Sequence, residues 1–206
     1  MEVSTDRFLT THAGSLPRSD ELVSLQVSQY RGDSIETDEL ERAVEASTRF
    51  VIAQQAASGI DIGNNGEQAR ESFFTYVQHR MSGFAGESQR PPMQDMVRYP
   101  SWIRLKFPGY QSGVSLVQAP QAQGEVSYIN RAPLVKELSD FAAVLGEEGN
   151  PFVETFVTAP SPGIIAAAME DKHYGDLDAY IDALAAALKV EYEAIHQAGH
   201  VLQLDC

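Results

Sequence analysis

Two carboxylates in this sequence lie at or just after the ends of short predicted strands, where an acid is either paired with a neighbour or free to bind a ligand. Glu67 comes after the Gly-Asn-Asn-Gly run at 63–66, and Asp205 closes the Val-Leu-Gln-Leu run at 201–204. Glu67 suits the positive end of a helix predicted through residues 73–77, and it equally suits binding of a substrate ammonium group. The pattern leaves both alternatives open for Glu67, and for Asp205 it favours a ligand site.

A serine-containing turn follows the predicted strand at residues 7–11. Gly14 permits a tight exit from that strand, and Ser15 offers both an amide and a hydroxyl. Donors of this kind bind a carboxylate, so this turn together with the two acids suits a small zwitterion. An ordinary strand-to-helix turn explains the same residues, and the sequence does not decide between these interpretations.

No spacing of histidines or cysteines predicts a metal site within this chain. A zinc site needs three or four converging Cys, His or acidic ligands. His196 and His200 stand four residues apart, but Gly199 breaks the helix between them, and Cys206 is the only cysteine. We therefore predict no metal ligand among these residues.

Two long helices are predicted, at residues 37–58 and 176–198. Each carries apolar residues at helical spacing, and each is followed by a glycine, Gly59 or Gly199, that suits a left-handed helix end. A short strand follows each glycine, at residues 60–63 and 200–205. Further strands are predicted at 7–11 and 152–158, with another candidate at 126–129.

Alternation of strands and helices predicts an α/β fold with a parallel sheet. Polar residues gathered at the carboxyl ends of such strands predict a ligand site at that edge of the sheet. The stretch at residues 85–123 is rich in Pro, Gly and Gln and is interpreted as an inserted rim segment, with a hairpin through residues 102–107.

Composition narrows the classes of function. The chain has 206 residues and a formal net charge of −14, with no basic cluster to meet phosphates, so we expect no nucleic-acid partner. No apolar run reaches the ~20 residues that cross a bilayer, so we expect no membrane partner. A single cysteine permits no internal disulfide, and this favours a cytoplasmic location.

Five blocks of this sequence, in order, resemble the catalytic barrel of cobalamin-independent methionine synthase and its single-barrel relatives, which include zinc-dependent coenzyme M alkyltransferases. The blocks lie at residues 10–18, 59–83, 124–138, 158–162 and 198–205. The resemblance implies a (β/α)₈ TIM-type barrel of the UROD/MetE-like kind, of which residues 1–206 are the N-terminal portion, with about five of the eight strands.

The resemblance implies zinc-dependent transfer of a methyl or alkyl group to a thiol, homocysteine in the synthase branch. Zinc would hold the thiol as a thiolate, and both its ligands and the catalytic residues are expected beyond Cys206. The resemblance implies that Ala13, Gly14 and Ser15 bind the carboxylate of the substrate. It implies that Glu67 and Asp205 bind the ammonium group. Further candidates are His12, Asn64 and Asn65.

Departures from the family pattern leave the alkyl donor open. Ser115 and Leu116 stand where the folate-dependent members carry Arg-Cys, residues 163–168 lack their tryptophan, and Cys206 replaces the Glu of their Asp-Glu-Pro. The donor is then a methyl folate, another methyl donor, a corrinoid protein or an alkyl substrate such as an epoxide. The start of the chain just ahead of the first strand is typical of the single-barrel branch.

Two other functions stay open. The chain is alternatively a non-catalytic, truncated paralogue that binds an amino acid or pairs with a full barrel. Under any of these functions a homo-oligomer is a candidate assembly. A third interpretation is an unrelated open α/β enzyme that uses Glu67 and Asp205 as an acid/base pair, which requires the two carboxylates to lie close together.

Overall fold

The structure is a computed structural model that describes residues 1–31, 33–89, 94–106 and 119–206. Its helices are α1 (Asp20–Arg31), α2 (Thr37–Ala57), α3 (Gln94–Arg98), α4 (Pro100–Lys106), α5 (Ala132–Glu147), α6 (Pro162–Ala168) and α7 (Leu177–Gln197). Its strands are β1 (Ile62–Gly63), β2 (Phe84–Ala85), β3 (Gln121–Ala122), β4 (Glu154–Pro160) and β5 (Val201–Asp205). Residues 115 and 116, which bear on the alkyl donor, lie outside the described residues.

A parallel sheet in the order β1-β4-β5 positions the strand ends. Ile62 pairs with Glu154, and the β4–β5 ladder runs from Phe156 beside Val201 to Pro160 beside Asp205. All three strands point the same way, so their carboxyl ends lie at one edge. The predicted α/β fold with a parallel sheet is confirmed, whereas closure into an eight-stranded barrel stays a prediction.

The two long helices form close to where the sequence predicts them. Gly59 and Gly199 follow them with φ of 75° and 87°, the left-handed conformation expected after a helix end. Helix α2 begins at Thr37, as its predicted range does, and its N-cap is Glu36. On α7 the buried stripe includes Leu184, Leu188 and Ile195.

Two predicted strands do not form. Residues 7–11 run beside β1 without a ladder, because the described backbone bonds between the two segments converge on one atom, the Thr10 carbonyl, from the amides of Asp61 and Ile62 at 3.1 Å each. Residues 126–129 make one isolated antiparallel bridge, Tyr128 to Met81, instead of a strand. In both places side-chain bonds and single backbone bonds replace a repeating ladder.

The inserted segment begins and ends on a short antiparallel pair. Phe84 of β2 lies opposite Ala122 of β3, which brings the two ends of the segment together. The predicted hairpin through residues 102–107 is wrong, because Pro100–Lys106 is the helix α4. Proline suits the first position of a helix, where its missing N–H would have no intrahelical partner. Residue 107 lies outside the described residues.

Two buried apolar clusters hold the helices on the sheet. One contains Leu184 and Leu188 of α7 with Ile165 of α6, and the other joins Phe141 of α5 to Val157 of β4. Burial of each such side chain contributes about 1.5–3 kcal/mol to the free energy of folding. Within the described ranges, none of the helices is both long enough and apolar enough to cross a membrane.

Candidate substrate site

A pair of asparagines shapes the turn that presents Glu67. The Oδ1 atom of Asn64 accepts from the amide of Gly66 at 2.8 Å, and the Oδ1 atom of Asn65 accepts from the amide of Glu67 at 3.0 Å. These bonds hold Glu67 at a φ of 57°, which a continuing α-helix does not allow. The predicted helix after Glu67 is therefore wrong: a turn leads into a short 3₁₀ helix at Thr75–His79.

The side chain of Glu67 is buried with one oxygen bonded and the other free. It is 1% exposed, and its Oε1 atom accepts from the Thr158 hydroxyl at 2.8 Å. Its Oε2 atom is buried and has no hydrogen-bond partner among the described residues. Burying an acceptor without a partner lowers the stability of the fold by about 1–3 kcal/mol. Such an atom in a native protein therefore needs an explanation, and a bound ligand is one.

Gly14 lies directly against this carboxylate. A Cβ atom added to Gly14 would stand 2.6 Å from Thr158 Cγ2 and 2.9 Å from Glu67 Oε1, and the φ of Gly14 is 133°. Only glycine fits both the space and the backbone conformation. The Asn64 side chain ties the same turn down by donating to the Gly14 carbonyl at 3.2 Å.

His12 supports the turn from behind. Its Nδ1 atom accepts from the Gly14 amide at 3.2 Å, so the proton belongs on Nε2, which donates to Gln55 Oε1 at 2.8 Å. Gln55 in turn donates to the Asn64 carbonyl at 2.8 Å. His12, Asn64 and Asn65 all shape the site in the structure, and their contact with substrate stays a prediction.

Asp205 reaches the same turn through Gln203. The Nε2 atom of Gln203 donates to the Ala13 carbonyl at 2.6 Å and to Asp205 Oδ1 at 3.0 Å. Gln203 on β5 pairs in register with Thr158 on β4. Because Thr158 is bonded to Glu67 and Gln203 to Asp205, each acid is attached to one of these two neighbouring strands. Ser15 is exposed at the outer side of the turn.

The two carboxylates are not bonded to each other. Among the described residues Glu67 is bonded to Thr158 and Asp205 to Gln203, so each acid has its own partner, and their use as an acid/base pair stays a prediction.

Sequence reasoning missed the buried charges behind the site. Arg70 and Arg80 both contact Glu137 of α5, at 2.9 Å and 2.7 Å, and Arg80 also contacts Glu191 of α7 at 3.1 Å. Burial alone would raise the pKa of Glu137, but the two arginines outweigh it and lower that pKa to about 2. Glu137 stands on the buried stripe with Leu134 and Leu138, and an acid at such a position was the available clue.

The described residues do not fit a zinc ion. No group of three or more His, Cys, Asp or Glu side chains among them is arranged to hold a metal, and Cys206 is exposed.

The sequence of this chain is similar to that of known proteins. Residues 8–206 match the family model of the cobalamin-independent synthase, catalytic domain. Among curated proteins, the 5-methyltetrahydropteroyltriglutamate–homocysteine methyltransferase of Corynebacterium glutamicum (strain R) is 24% identical over 197 residues, which is 95% of this chain and 23% of that protein. The protein of the same name from Acidithiobacillus ferrooxidans (strain ATCC 53993 / BNL-5-31) is 31% identical over 78 residues, 38% of this chain and 10% of its own length.

A solved structure has a similar fold. It is a B12-independent methionine synthase from Shewanella sp. W3-18-1 in complex with selenomethionine, with a TM-score of 0.67 and 22% identity. The match covers 95% of this chain and 50% of that one, so the chain spans about half the length of this relative and less of the curated ones.

Proposed function

Because the chain belongs to the family of cobalamin-independent synthase catalytic domains, we propose that it binds a small amino-acid thiol for transfer of a methyl or alkyl group to sulfur. The observation that carries this proposal is the buried Oε2 atom of Glu67 at the strand ends, which has no hydrogen-bond partner within the ranges that the structure describes. A substrate ammonium group supplies the N–H donor and the positive charge that this atom lacks.

The site residues divide between the two ends of an amino acid. Glu67 and Asp205 bind the ammonium group, and the turn of Ala13, Gly14 and Ser15 binds the carboxylate. Its donors include the amide and hydroxyl of Ser15, whereas the Gly14 amide is bonded to His12. Homocysteine is the proposed acceptor, since homocysteine methyltransferase is the name of the curated relatives. The alkyl donor stays open.

The zinc dependence of the reaction is a proposal about the whole reaction rather than about these residues. Zinc bound to a thiol lowers the pKa of that thiol and so supplies a thiolate. Since the described residues offer no fitting donor set, we assign to them the binding and orientation of the amino-acid part alone.

Calorimetric titration with L-homocysteine tests the site. We expect the Glu67→Gln variant to bind about tenfold to a hundredfold more weakly than the unchanged chain, because a charge-assisted hydrogen bond to the ammonium group is lost. Glu39→Gln, the same change at an exposed acid on α2, is the matched control and keeps full affinity. Equal affinity of the Glu67 variant and the unchanged chain would place the ligand elsewhere.

Amino-acid binding without transfer is the second candidate function, and the lack of a metal donor set among the described residues favours it. The two candidates differ in one result. Methyl transfer from a donor to homocysteine by the zinc-supplemented protein isolated from its native source supports the enzyme, and homocysteine binding with no product by that same protein supports the binding protein.

A further inference from the structure

A buried cluster of charges stands directly behind Glu67. We call it the Glu137 cluster; its members are Arg70, Tyr76, Arg80, Glu137 and Glu191, each at most 4% exposed. The guanidinium carbons of Arg70 and Arg80 each lie 4.4 Å from the centre of the Tyr76 ring, whose hydroxyl donates to Glu191. The four charges cancel, yet taking them from water is costly, so the cluster is weak evidence for stability and suggests a positional role.

One arm of the cluster fixes the backbone of Glu67. Glu137 Oε1 accepts from the Asn65 side-chain amide at 2.9 Å. That bond orients Asn65 so that its Oδ1 atom accepts from the amide of Glu67 at 3.0 Å. The left-handed conformation of Glu67 therefore depends on a carboxylate that never touches it.

The other arm fixes the side chain of Glu67. Arg70, held by Glu137, donates from Nη1 to the Thr158 carbonyl at 2.9 Å and to the Thr158 hydroxyl oxygen at 3.1 Å. An arginine N–H can only donate, so that oxygen accepts, and its single proton is directed to Glu67 Oε1 at 2.8 Å. The direction of this bond is thus set by Arg70.

We infer that Glu137 and Thr158 are positioning residues that fix Glu67 so that its Oε2 atom alone is presented to a substrate ammonium group. Glu137 acts on both arms at once, and Thr158 is the last contact before Glu67. This inference rests on the proposed function, since it concerns how the same site selects a ligand with an amino group.

The Thr158→Val variant tests the inference, with L-homocysteine and its desamino analogue 4-sulfanylbutanoate as probes. Valine keeps the shape of threonine and removes the hydroxyl that orients Glu67. We expect affinity for L-homocysteine to fall about tenfold and affinity for the analogue, which has no ammonium group, to change less than about twofold. Thr158→Ser keeps the hydroxyl and restores homocysteine binding.

The outcomes separate the inference from the proposed function. Equal losses for both probes, or no rescue by serine, would mean that Thr158 only supports the fold, and the inference fails alone. No homocysteine binding by the unchanged chain overturns both. The Thr158 variants carry the test because Glu137→Gln leaves two buried arginines with less negative charge and endangers folding itself.

Discussion

At the scale of single residues, Glu67 is constrained on three sides. Its amide is bonded to Asn65, its Oε1 atom to Thr158, and its carboxylate is flanked by the bare Cα atom of Gly14. The remaining oxygen is buried and has no hydrogen-bond partner in the described part of the chain, and we propose that a substrate ammonium group pairs with it. The contact with Gly14 can be tested by substitution.

Replacement of Gly14 by alanine should damage binding more than folding. The added methyl group meets Thr158 and Glu67 at 2.6 Å and 2.9 Å, so it displaces the carboxylate that we assign to the ammonium group. We expect at least about a tenfold loss of homocysteine affinity by calorimetry.

Gly149→Ala is the matched control for that change. Gly149 also has a positive φ, 74°, but nothing lies within 4 Å of its added Cβ atom. We expect this variant to lose about 1 kcal/mol of folding stability, because alanine is strained at a positive φ, and to keep its affinity for homocysteine. If both variants bound homocysteine normally, the close packing of Gly14 against Glu67 would have no bearing on the ligand.

At the scale of elements, helix α5 does more than cover the sheet. Its apolar stripe packs on β4 through residues such as Phe141, and the same stripe carries Glu137, which accepts bonds from Asn65, Arg70 and Arg80. The position of α5 therefore couples the core to the loop that follows β1.

The stability difference between the unchanged chain and Glu137→Gln should depend on pH. The folded-state pKa of Glu137 is about 2, lowered from 4.5 because the arginines outweigh burial, so the charged form stabilises the fold above pH 4.5. We expect Glu137→Gln to cost about 3–5 kcal/mol near neutral pH. That difference should shrink as the pH falls from 4.5 towards 2, because protonated Glu137 then resembles glutamine.

Denaturant unfolding at several pH values measures this difference. The control is Glu147→Gln. Glu147 is an exposed acid in the last turn of the same helix and pairs with Arg49, so its replacement should lower stability little. A cost for Glu137→Gln that stayed constant down to pH 2 would contradict the assigned ion pairs.

The predictability of the elements follows from their length. Helices α2 and α7 span 21 residues each, long enough for apolar spacing and a terminal glycine to define them. Strand β1 has two residues, and its neighbours at 7–11 make single bonds, so local sequence cannot distinguish them from loops. The helix predicted after Glu67 failed because two asparagine side chains bond the backbone into a turn.

At the scale of the whole molecule, the site is predictable only in part. Residues at the strand ends, such as Glu67 and Gly14, belong to local motifs that resemble a family. Arg70 contacts Glu137 across 67 positions of sequence and Thr158 across 88 positions, and no local pattern encodes such pairs. Tertiary packing alone brings them together.

A crystal structure of the chain with bound L-homocysteine tests the central claim most directly. We expect the amino nitrogen to lie about 2.7–3.0 Å from Glu67 Oε2, with the carboxylate of the ligand at the turn of Gly14 and Ser15. An amino acid bound elsewhere, with Glu67 Oε2 still unpaired or paired only with protein atoms, would contradict the account.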